Sequence, residues 1–572
     1  MFVTLSFLQS TSVNPTCKCP LRALAVIMIS ARRIAGRMNT LYYGDNLQVL
    51  RASVASESVD LVYLDPPFNS QANYNVLFKA PTGQKSEAQI EAFEDTWHWN
   101  DHAERAFDEV MKSGNGDVAE LLRALRSFLK ENDMMAYLTM MAIRLLELHR
   151  VLKPTGSLYL HCDPTASHYL KLLMDGIFGA DMFRNEIIWK RTTTHSDSKT
   201  WSRVSDTLFF YTKGQTFTWT TPREPHSAEY LADKYRHDDG EGKYRLDNMT
   251  SPNPRPHMMY EWKGFPYPDK GWRYSPETMQ RLDDEGRIWY PQKKDGSLDT
   301  TKRPQLKRYL EEMEGGVMGN IWTDISPINS QAQERIGYPT QKPLALLERI
   351  ITASSNKGDT LLDPFCGCGT AVHAAQKLHL NWIGIDITHL AISLIEKRLK
   401  DAFPGIAFEV HGTPKDIDGA RALAVQDKYQ FQWWAVSLVD AVPYGGKKKG
   451  ADSGIDGFIY FKPDGKTTEK AIVSVKGGDT VSVLMIRDLA HVVDREKAKI
   501  GLFITLAEPT KPMHTEAVKT GYFETPYGKY PKLQILTIAE LFAGAKPNIP
   551  LIDPTAFKKS AKELTTEQHD LF

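Results

Sequence analysis

The chain has 572 residues, 42% apolar and 24% charged, a composition that excludes a disordered or fibrous protein and a length that suits three or four domains. No apolar run approaches the ~20 residues that span a bilayer, which excludes a membrane protein, and five cysteines suit a reducing cytoplasm rather than a disulfide framework. Basic and acidic residues balance at 70 each, so bulk charge does not point to a nucleic-acid partner.

Residues 1–37 hold Lys18, Arg22, Arg32, Arg33 and Arg37 and no acid; the first acid is Asp45. The apolar run 23–29 precedes the double arginine, the reverse of a secretory signal. Cys17 and Cys19 lack the partner cluster of a metal site. This segment reads as a disordered extension, with folding expected to begin near Met38.

Strand-like and helix-like segments then alternate. Apolar runs rich in β-branched and aromatic residues occupy 59–65, 157–163, 206–212, 360–365 and 382–387. A long helical pattern fills 118–150 and is closed by the turn Lys153-Pro154-Thr155-Gly156. The alternation predicts an α/β domain with a mostly parallel sheet. Residues 214–335 break the rhythm with many Pro, Gly, Tyr and Trp, and read as an insert. Pro404 and Gly405 mark the approach to a further region. The expected division is 38–213, 214–335, 336–410, 420–545 and a tail at 546–572.

Asp65-Pro66-Pro67-Phe68 comes directly after the first strand, where ligands of open α/β sheets bind. On its own the tetrapeptide is equally an acidic turn stiffened by prolines. Its chemistry is nevertheless specific. The Asp65 carboxylate and the Pro66 carbonyl can accept both hydrogens of an aromatic amine and draw its nitrogen toward tetrahedral geometry. The prolines donate nothing and aim that carbonyl, and Phe68 can stack on the base. A second element, Asp363-Pro364-Phe365-Cys366-Gly367-Cys368-Gly369-Thr370, also ends a strand and leads into a helix at 371–378. Its two glycines allow close ligand approach. A dinucleotide fingerprint needs a third glycine where Val372 stands, so a nicotinamide cofactor is disfavoured. Asp386 ends the next strand, where a carboxylate commonly grips ribose hydroxyls. His161 and Asp163 end another strand and read first as a satisfied strand terminus, second as pocket wall.

Between the two elements lies Tyr338-Pro339-Thr340-Gln341-Lys342-Pro343, ahead of the amphipathic LALLERIITAS. The set DPPF, PTQKP and DPFCGCGT, in that order over 38–405, resembles the β-group of amino-methyltransferases that modify DNA with S-adenosylmethionine. The resemblance implies a circularly permuted class I (Rossmann-like) α/β methyltransferase with an inserted target-recognition domain, its catalytic half ahead of its cofactor half. It implies catalysis by Asp65, Pro66, Pro67 and Phe68. It places the cofactor on Asp363, Phe365, Gly367, Gly369 and Asp386, with Gln341 and Lys342 flanking the methionine end and Asp45, in Tyr43-Gly44-Asp45-Asn46, near the same pocket. In this family Ser at the first catalytic position goes with cytosine and Asp with adenine. Asp65 therefore favours N6 of adenine, with N4 of cytosine as the alternative.

A base inside a duplex must flip out of the stack to be reached. Double-stranded DNA is the expected partner and a homodimer is compatible with it. Residues 243–308 carry fourteen basic against nine acidic residues, with nine aromatics interleaved. Most of these aromatics are expected to form a small core. Arg255, Lys263, Arg273, Lys302, Arg303, Lys307 and Arg308 are the candidate DNA contacts. The stretch 85–147, with thirteen acids against seven bases, supplies the opposite sign, so the neutral total is a cancellation.

In the C-terminal region an acid at a strand start, Asp456, is followed across a hairpin by Ser474-Val475-Lys476. Over 420–525 this resembles the PD-(D/E)XK nuclease core of Mrr-type restriction enzymes, a restriction-endonuclease-like α/β domain. The resemblance implies Mg²⁺ at Asp456 and a charge-stabilising role for Lys476. Ser474 stands where the second carboxylate belongs. Asp452 or Asp427 is a candidate substitute, and a degenerate fold used for binding is the other reading. Lys447-Lys448-Lys449 is a basic run near phosphate or a solvated loop. A bacterial or archaeal restriction-modification or phage-defence enzyme is expected, with endonuclease action as the alternative principal activity.

Overall fold

The strand Val59–Leu64 shows why the main sheet is covered on both sides. Val59, Val62 and Leu64 enter one core cluster and Leu61 and Tyr63 another, so an unbroken apolar run is required. The computed structural model describes residues 39–67, 73–79 and 85–94 (as backbone), 97–194, 199–329, 332, 334–336, 338, 340–444, 454–550 and 563. Expectations for 1–37, Phe68, Lys447-Lys448-Lys449, Asp452 and most of the tail lie outside these residues.

The nine strands of this sheet are β1 (Thr40–Tyr43), β2 (Val59–Leu64), β3 (Leu152–Cys162), β4 (Phe183–Lys190), β5 (Ser205–Thr212), β6 (Ile321–Trp322), β7 (Thr360–Asp363), β8 (Asn381–Asp386) and β9 (Glu409–His411). Their order is β6-β4-β5-β3-β2-β7-β8-β1-β9. Only β5 runs against its neighbours, β3 and β4. At the centre β2 pairs in parallel with β7, Leu61 opposite Leu361, so strands three hundred residues apart meet at one seam. The sheet order thus sets the Asp65 strand beside the Asp363 strand, although the first precedes the second by most of the domain.

Two local readings need correction. The pattern at 118–150 is two helices, Gly116–Leu129 and Asp133–Val151. Lys130 adopts φ 62 and Asn132 caps the second helix by accepting from the Met135 amide at 2.9 Å, which breaks the run. Nor is Lys153-Pro154-Thr155-Gly156 a turn closing that helix. It lies within β3 as an excursion: Val59 pairs with Leu152, and Leu61 already with Ser157.

Within 214–335, four short strands form a separate sheet around Met249, Trp262, Phe265, Trp272, Met279, Ile288 and Leu306. The stretch also supplies β6, which pairs with β4 at the edge of the main sheet. Beyond β9, five strands form a second mixed sheet in chain order: β10 (Val442–Pro443), β11 (Gly457–Phe461), β12 (Glu469–Lys476), β13 (Ile500–Thr505) and β14 (Leu533–Thr537). β11 is antiparallel to β12, whereas β12, β13 and β14 run parallel. Among the described residues no helix is long and apolar enough to cross a membrane.

Candidate active site

Parallel pairing brings four strand ends to one edge. Tyr43 of β1 lies opposite Asp386 of β8, Asp363 of β7 opposite Gly384 of β8, and Val62 of β2 opposite Leu362 of β7. The segments leaving these strands therefore converge: Gly44 and Asp45, Asp65 to Pro67, Pro364 to Gly367, and Ile387 with Thr388. They line one cavity of about 360 Å³, closed on a further side by Tyr338, Thr340 and Lys342.

Asp65 carries one oxygen bonded and one bare. Its Oδ2 accepts from the Lys342 ammonium. Its Oδ1 is buried and has no hydrogen-bond partner among the described residues. An unsatisfied buried acceptor costs about 1–3 kcal/mol, so this atom is a docking point for a donor. Pro66 and Pro67 extend the wall beside it without an N–H to offer. Lys342, expected from the resemblance at the methionine end, thus ties the segment before the helix Leu344–Ser354 to Asp65.

On the other wall the chain turns tightly at Gly367 (φ 52) and Gly369 (φ 76), both in the left-handed region. A Cβ on Gly367 would stand 3.3 Å from the Tyr338 ring, and one on Gly369 2.8 Å from Ile395. Helix α2 (Thr370–Lys377) starts directly after this turn. The Gly367 amide donates to Asp386 Oδ2 at 2.8 Å, while Asp386 Oδ1 accepts from the Thr388 amide and hydroxyl, each at 2.9 Å. A carboxylate offers about four acceptor sites, so Asp386 keeps capacity for one more donor. Burial pushes Asp386 up to about 6. Burial likewise raises Asp363 well above the carboxylate range, with Asp65 and Asp386 adding repulsion; its Oδ1 accepts from the Phe365 amide at 3.0 Å. Phe365 lies on the wall. Gln341 braces the approach from behind, accepting from the Ile336 amide and donating to the Glu334 carbonyl.

Two site residues escaped the sequence reading. Arg144, in the middle of the apolar helix Asp133–Val151, is 3% exposed and donates to Asp45 Oδ2 at 2.8 Å and to Asn46 Oδ1 at 2.6 Å. Asn46 in turn donates to the Pro364 carbonyl at 2.8 Å. Asp45 also caps helix α1 (Asn46–Ser53) through the Gln48 amide. The network joins β1, the long helix and the Pro364 turn. A lone cation inside an apolar helix was the available signal. Behind Asp65, Tyr63 bonds His161 Nδ1 at 3.0 Å, and His161 Nε2 meets Asp206 at 3.1 Å, all buried. His161 is thus a satisfied interior histidine one layer from the wall, while Asp163 binds Thr165 in a turn.

Compared with known proteins, residues 59–397 match the DNA methylase family and residues 424–524 a restriction endonuclease family of the Mrr type. This chain belongs to the DNA methylase family. Over 364 residues it is 29% identical to the type II methyltransferase M.EcaI of Enterobacter cloacae, covering 63% of this chain and 69% of that one. It is 27% identical to the Mod subunit of the type III restriction-modification enzyme StyLTI of Salmonella typhimurium, over 60% of this chain and 50% of the subunit. The M1.HpyAVI–SAM complex aligns with a TM-score of 0.28 and 13% identity, over 63% of this chain and 99% of that one.

In this methylase the candidate DNA contacts fall into two groups. Lys263 pairs with Asp283, Lys302 with Asp299, Lys307 with Asp239, and Arg273 and Arg308 both approach Asp247. Arg255 and Arg303 are exposed, and their bonds run to the Arg273 carbonyl and the Thr250 hydroxyl. As expected, most aromatics of 243–308 are core; Tyr267, 52% exposed, is an exception.

In the methylase's C-terminal domain, the Asp456 carboxylate accepts from the Val475 amide at 2.6 Å, and Ser474 is buried. Ser474 and Lys476 share a face of β12 by alternation. Asp427, the candidate substitute for the missing acid, caps the helix that comes next, accepting from the Tyr429 and Gln430 amides. Among the described residues no group of three or more His, Cys, Asp or Glu side chains could hold a metal ion. The described donors do not make up the magnesium site that the resemblance implied, and no step is derived through that ion.

Proposed function

We propose that this methylase transfers a methyl group from S-adenosylmethionine to N6 of an adenine flipped out of duplex DNA, in a restriction-modification setting. The observation that carries the reading is Asp65: a carboxylate with one oxygen held by Lys342 and the other buried and, among the described residues, without a partner, at the edge of a cavity of about 360 Å³. The Asp65 Oδ1 atom takes one hydrogen of the amine and the Pro66 carbonyl the other. Accepting both pulls the nitrogen lone pair out of conjugation with the ring and aims it into the cavity. Lys342 keeps the carboxylate in register and balances its charge.

The residues present fit the cofactor. The glycine turn leaves backbone uncovered where a Cβ would crowd Tyr338, and Asp386 has acceptor capacity left for a ribose hydroxyl. Phe365 supplies an apolar face, and Asp45, held by Arg144, a carboxylate for a cationic group. When bound, S-adenosylmethionine supplies a methyl group activated by its sulfonium. Aspartate rather than serine ahead of Pro66 favours adenine over cytosine N4.

Asp65→Ala in the full chain tests this reading. Labelled methyl transfer to duplex DNA is expected to fall about 10²–10⁴-fold while S-adenosylmethionine still binds; transfer at the wild-type rate with that variant sinks the assignment. Mapping modified bases in DNA from a host expressing only this enzyme decides adenine against cytosine.

A second reading, cleavage by the C-terminal domain, is favoured by the match at 424–524 and by Lys476 standing on the face of β12 that carries Ser474. It predicts cutting of unmethylated DNA that Lys476→Ala abolishes. Equal behaviour of the two proteins removes it.

A further inference from the structure

Helix α4 (Lys428–Ser437), in the C-terminal domain, has the sequence KYQFQWWAVS; Gln430, Phe431, Trp433, Trp434, Ala435 and Val436 are buried, while Lys428 is exposed and Gln432 half-buried. Its buried residues face two different cores. Phe431, Trp434 and Ala435 belong to the C-terminal domain's own core. Trp433, together with Val442 of β10, packs instead into a buried cluster with Tyr338, Cys368, Leu390 and Leu394 of the methylase half. Both halves lie within one compact unit.

The methylase residues in that cluster are those that shape the cofactor wall. Tyr338 lies against Gly367, and Cys368 sits between the two glycines of the turn. Leu390 and Leu394 are on helix α3 (His389–Ala402), which begins at the loop after Asp386. The first turn of any helix leaves amides without an intrahelical partner. Here the His389 amide, the first of α3, donates to Gln430 Oε1 at 3.0 Å, and both residues are buried. The preceding residue, Thr388, is the one whose amide and hydroxyl hold Asp386. The His389 ring stacks on Tyr43 at 3.6 Å, at the end of β1. Gln430 and Trp433 are three residues apart, hence neighbours along one helix face.

We propose that Gln430 and Trp433 are positioning residues for the cofactor site, so that the C-terminal domain completes the outer shell of the methylase's S-adenosylmethionine pocket. Gln430 pins the 386–389 loop and thereby the Asp386 carboxylate; Trp433 backs Tyr338 and the glycine turn. The α4 helix lies outside the span that matches the DNA methylase family, so the methylase core takes these supports from its fused partner. The inference rests on the proposed binding of S-adenosylmethionine.

The test is calorimetric titration of S-adenosylmethionine into the full-length chain, with methyl-transfer kinetics alongside. Gln430→Met keeps the size and removes the acceptor; Gln430→Glu keeps an acceptor at a helix N-terminus, where a carboxylate is favoured. Cofactor affinity is expected to fall about fivefold in Gln430→Met and to recover largely in Gln430→Glu, as loss and return of one buried hydrogen bond would give. Trp433→Ala is expected to weaken it about tenfold or more, with Trp433→Phe intermediate. In the kinetics the change belongs in KM for the cofactor rather than in kcat. Wild-type affinity in folded Gln430→Met and Trp433→Ala, or a Gln430→Glu as weak as Gln430→Met, overturns the proposal. Wild type that binds no S-adenosylmethionine overturns the functional reading and this inference with it. Hydrogen exchange on the unaltered chain covers the case of variants that do not fold: the cofactor must slow exchange of the His389 amide, and unchanged exchange there overturns the proposal as well.

Discussion

At the carboxyl ends of β2, β7 and β8, three aspartates share one cavity wall with Lys342; across 243–308, five of the seven candidate DNA-contacting cations have an acid beside them. The first region holds acceptors that the fold leaves unfilled. Burial raises Asp363 and Asp386, with repulsion from Asp65 and Asp386 adding at Asp363, and Asp65 Oδ1 has no partner among the described residues. Such an arrangement works against stability and marks a ligand site. In the second region five of the seven candidate cations are neutralised by an acid, and only those without an acidic neighbour are ready for phosphate. A charged residue is informative about function when its partner is missing.

The sharpest way to break this contrast is at Asp65. Its replacement by alanine is expected to lower methyl transfer by about 10²–10⁴-fold, the range for a positioned proton acceptor, measured by label incorporation at saturating cofactor. Arg144→Met comes next. It leaves Asp45 and Asn46 without their buried donor, and a loss of about 2–3 kcal/mol is expected in urea unfolding, discounted because Asp45 is partly exposed. A Gly367→Ala variant forces a side chain onto φ 52 and toward the Tyr338 ring. The strain of about 1–2 kcal/mol should appear as roughly tenfold weaker S-adenosylmethionine binding.

A pH titration sharpens the comparison further. Asp386 is raised from 3.8 to about 6 in the fold. A raised carboxylate contributes stability below its unfolded value and loses it as pH rises through the folded one, whereas a ribose hydroxyl is accepted best by the ionised form. Cofactor affinity is therefore expected to strengthen between about pH 5 and pH 7 while this contribution to stability falls, and Asp386→Asn should flatten both trends. The smallest effect belongs to the insert. Arg255→Ala and Arg303→Ala should each weaken DNA binding and lower its salt slope by about 1, whereas Lys307→Ala, paired with Asp239, should leave that slope unchanged.

Much of the cavity wall was legible because its residues sit in short motifs at strand ends, and a parallel sheet sends every strand end to the same edge. Asp65, Asp363, Gly367 and Asp386 needed no knowledge of tertiary contacts beyond that rule. Arg144 was not legible in the same way: its partners Asp45 and Asn46 lie almost a hundred residues upstream, and only packing of the Asp133–Val151 helix brings them together. The break at Lys130 was hidden because the apolar period continues across it. Gln430 reads in the sequence as one of several polar residues in a short helix, with nothing to say that its partner is an amide of another domain.

Residue order alone carried the α/β class, since apolar periodicity and strand-end motifs are local properties, while the two halves of the methylase and the nuclease-like domain followed from the resemblance of those motifs to known families. Which charges remain free was decided by the tertiary structure, since a salt bridge or an orphaned oxygen depends on what chain folding places within 3 Å. So it was for the composition. Seventy acids balance seventy bases in the sum, and the fold pairs five of the insert's seven candidate cations with acids while leaving Asp65 Oδ1 without a partner, among the described residues, at a cavity where a free acceptor has a use.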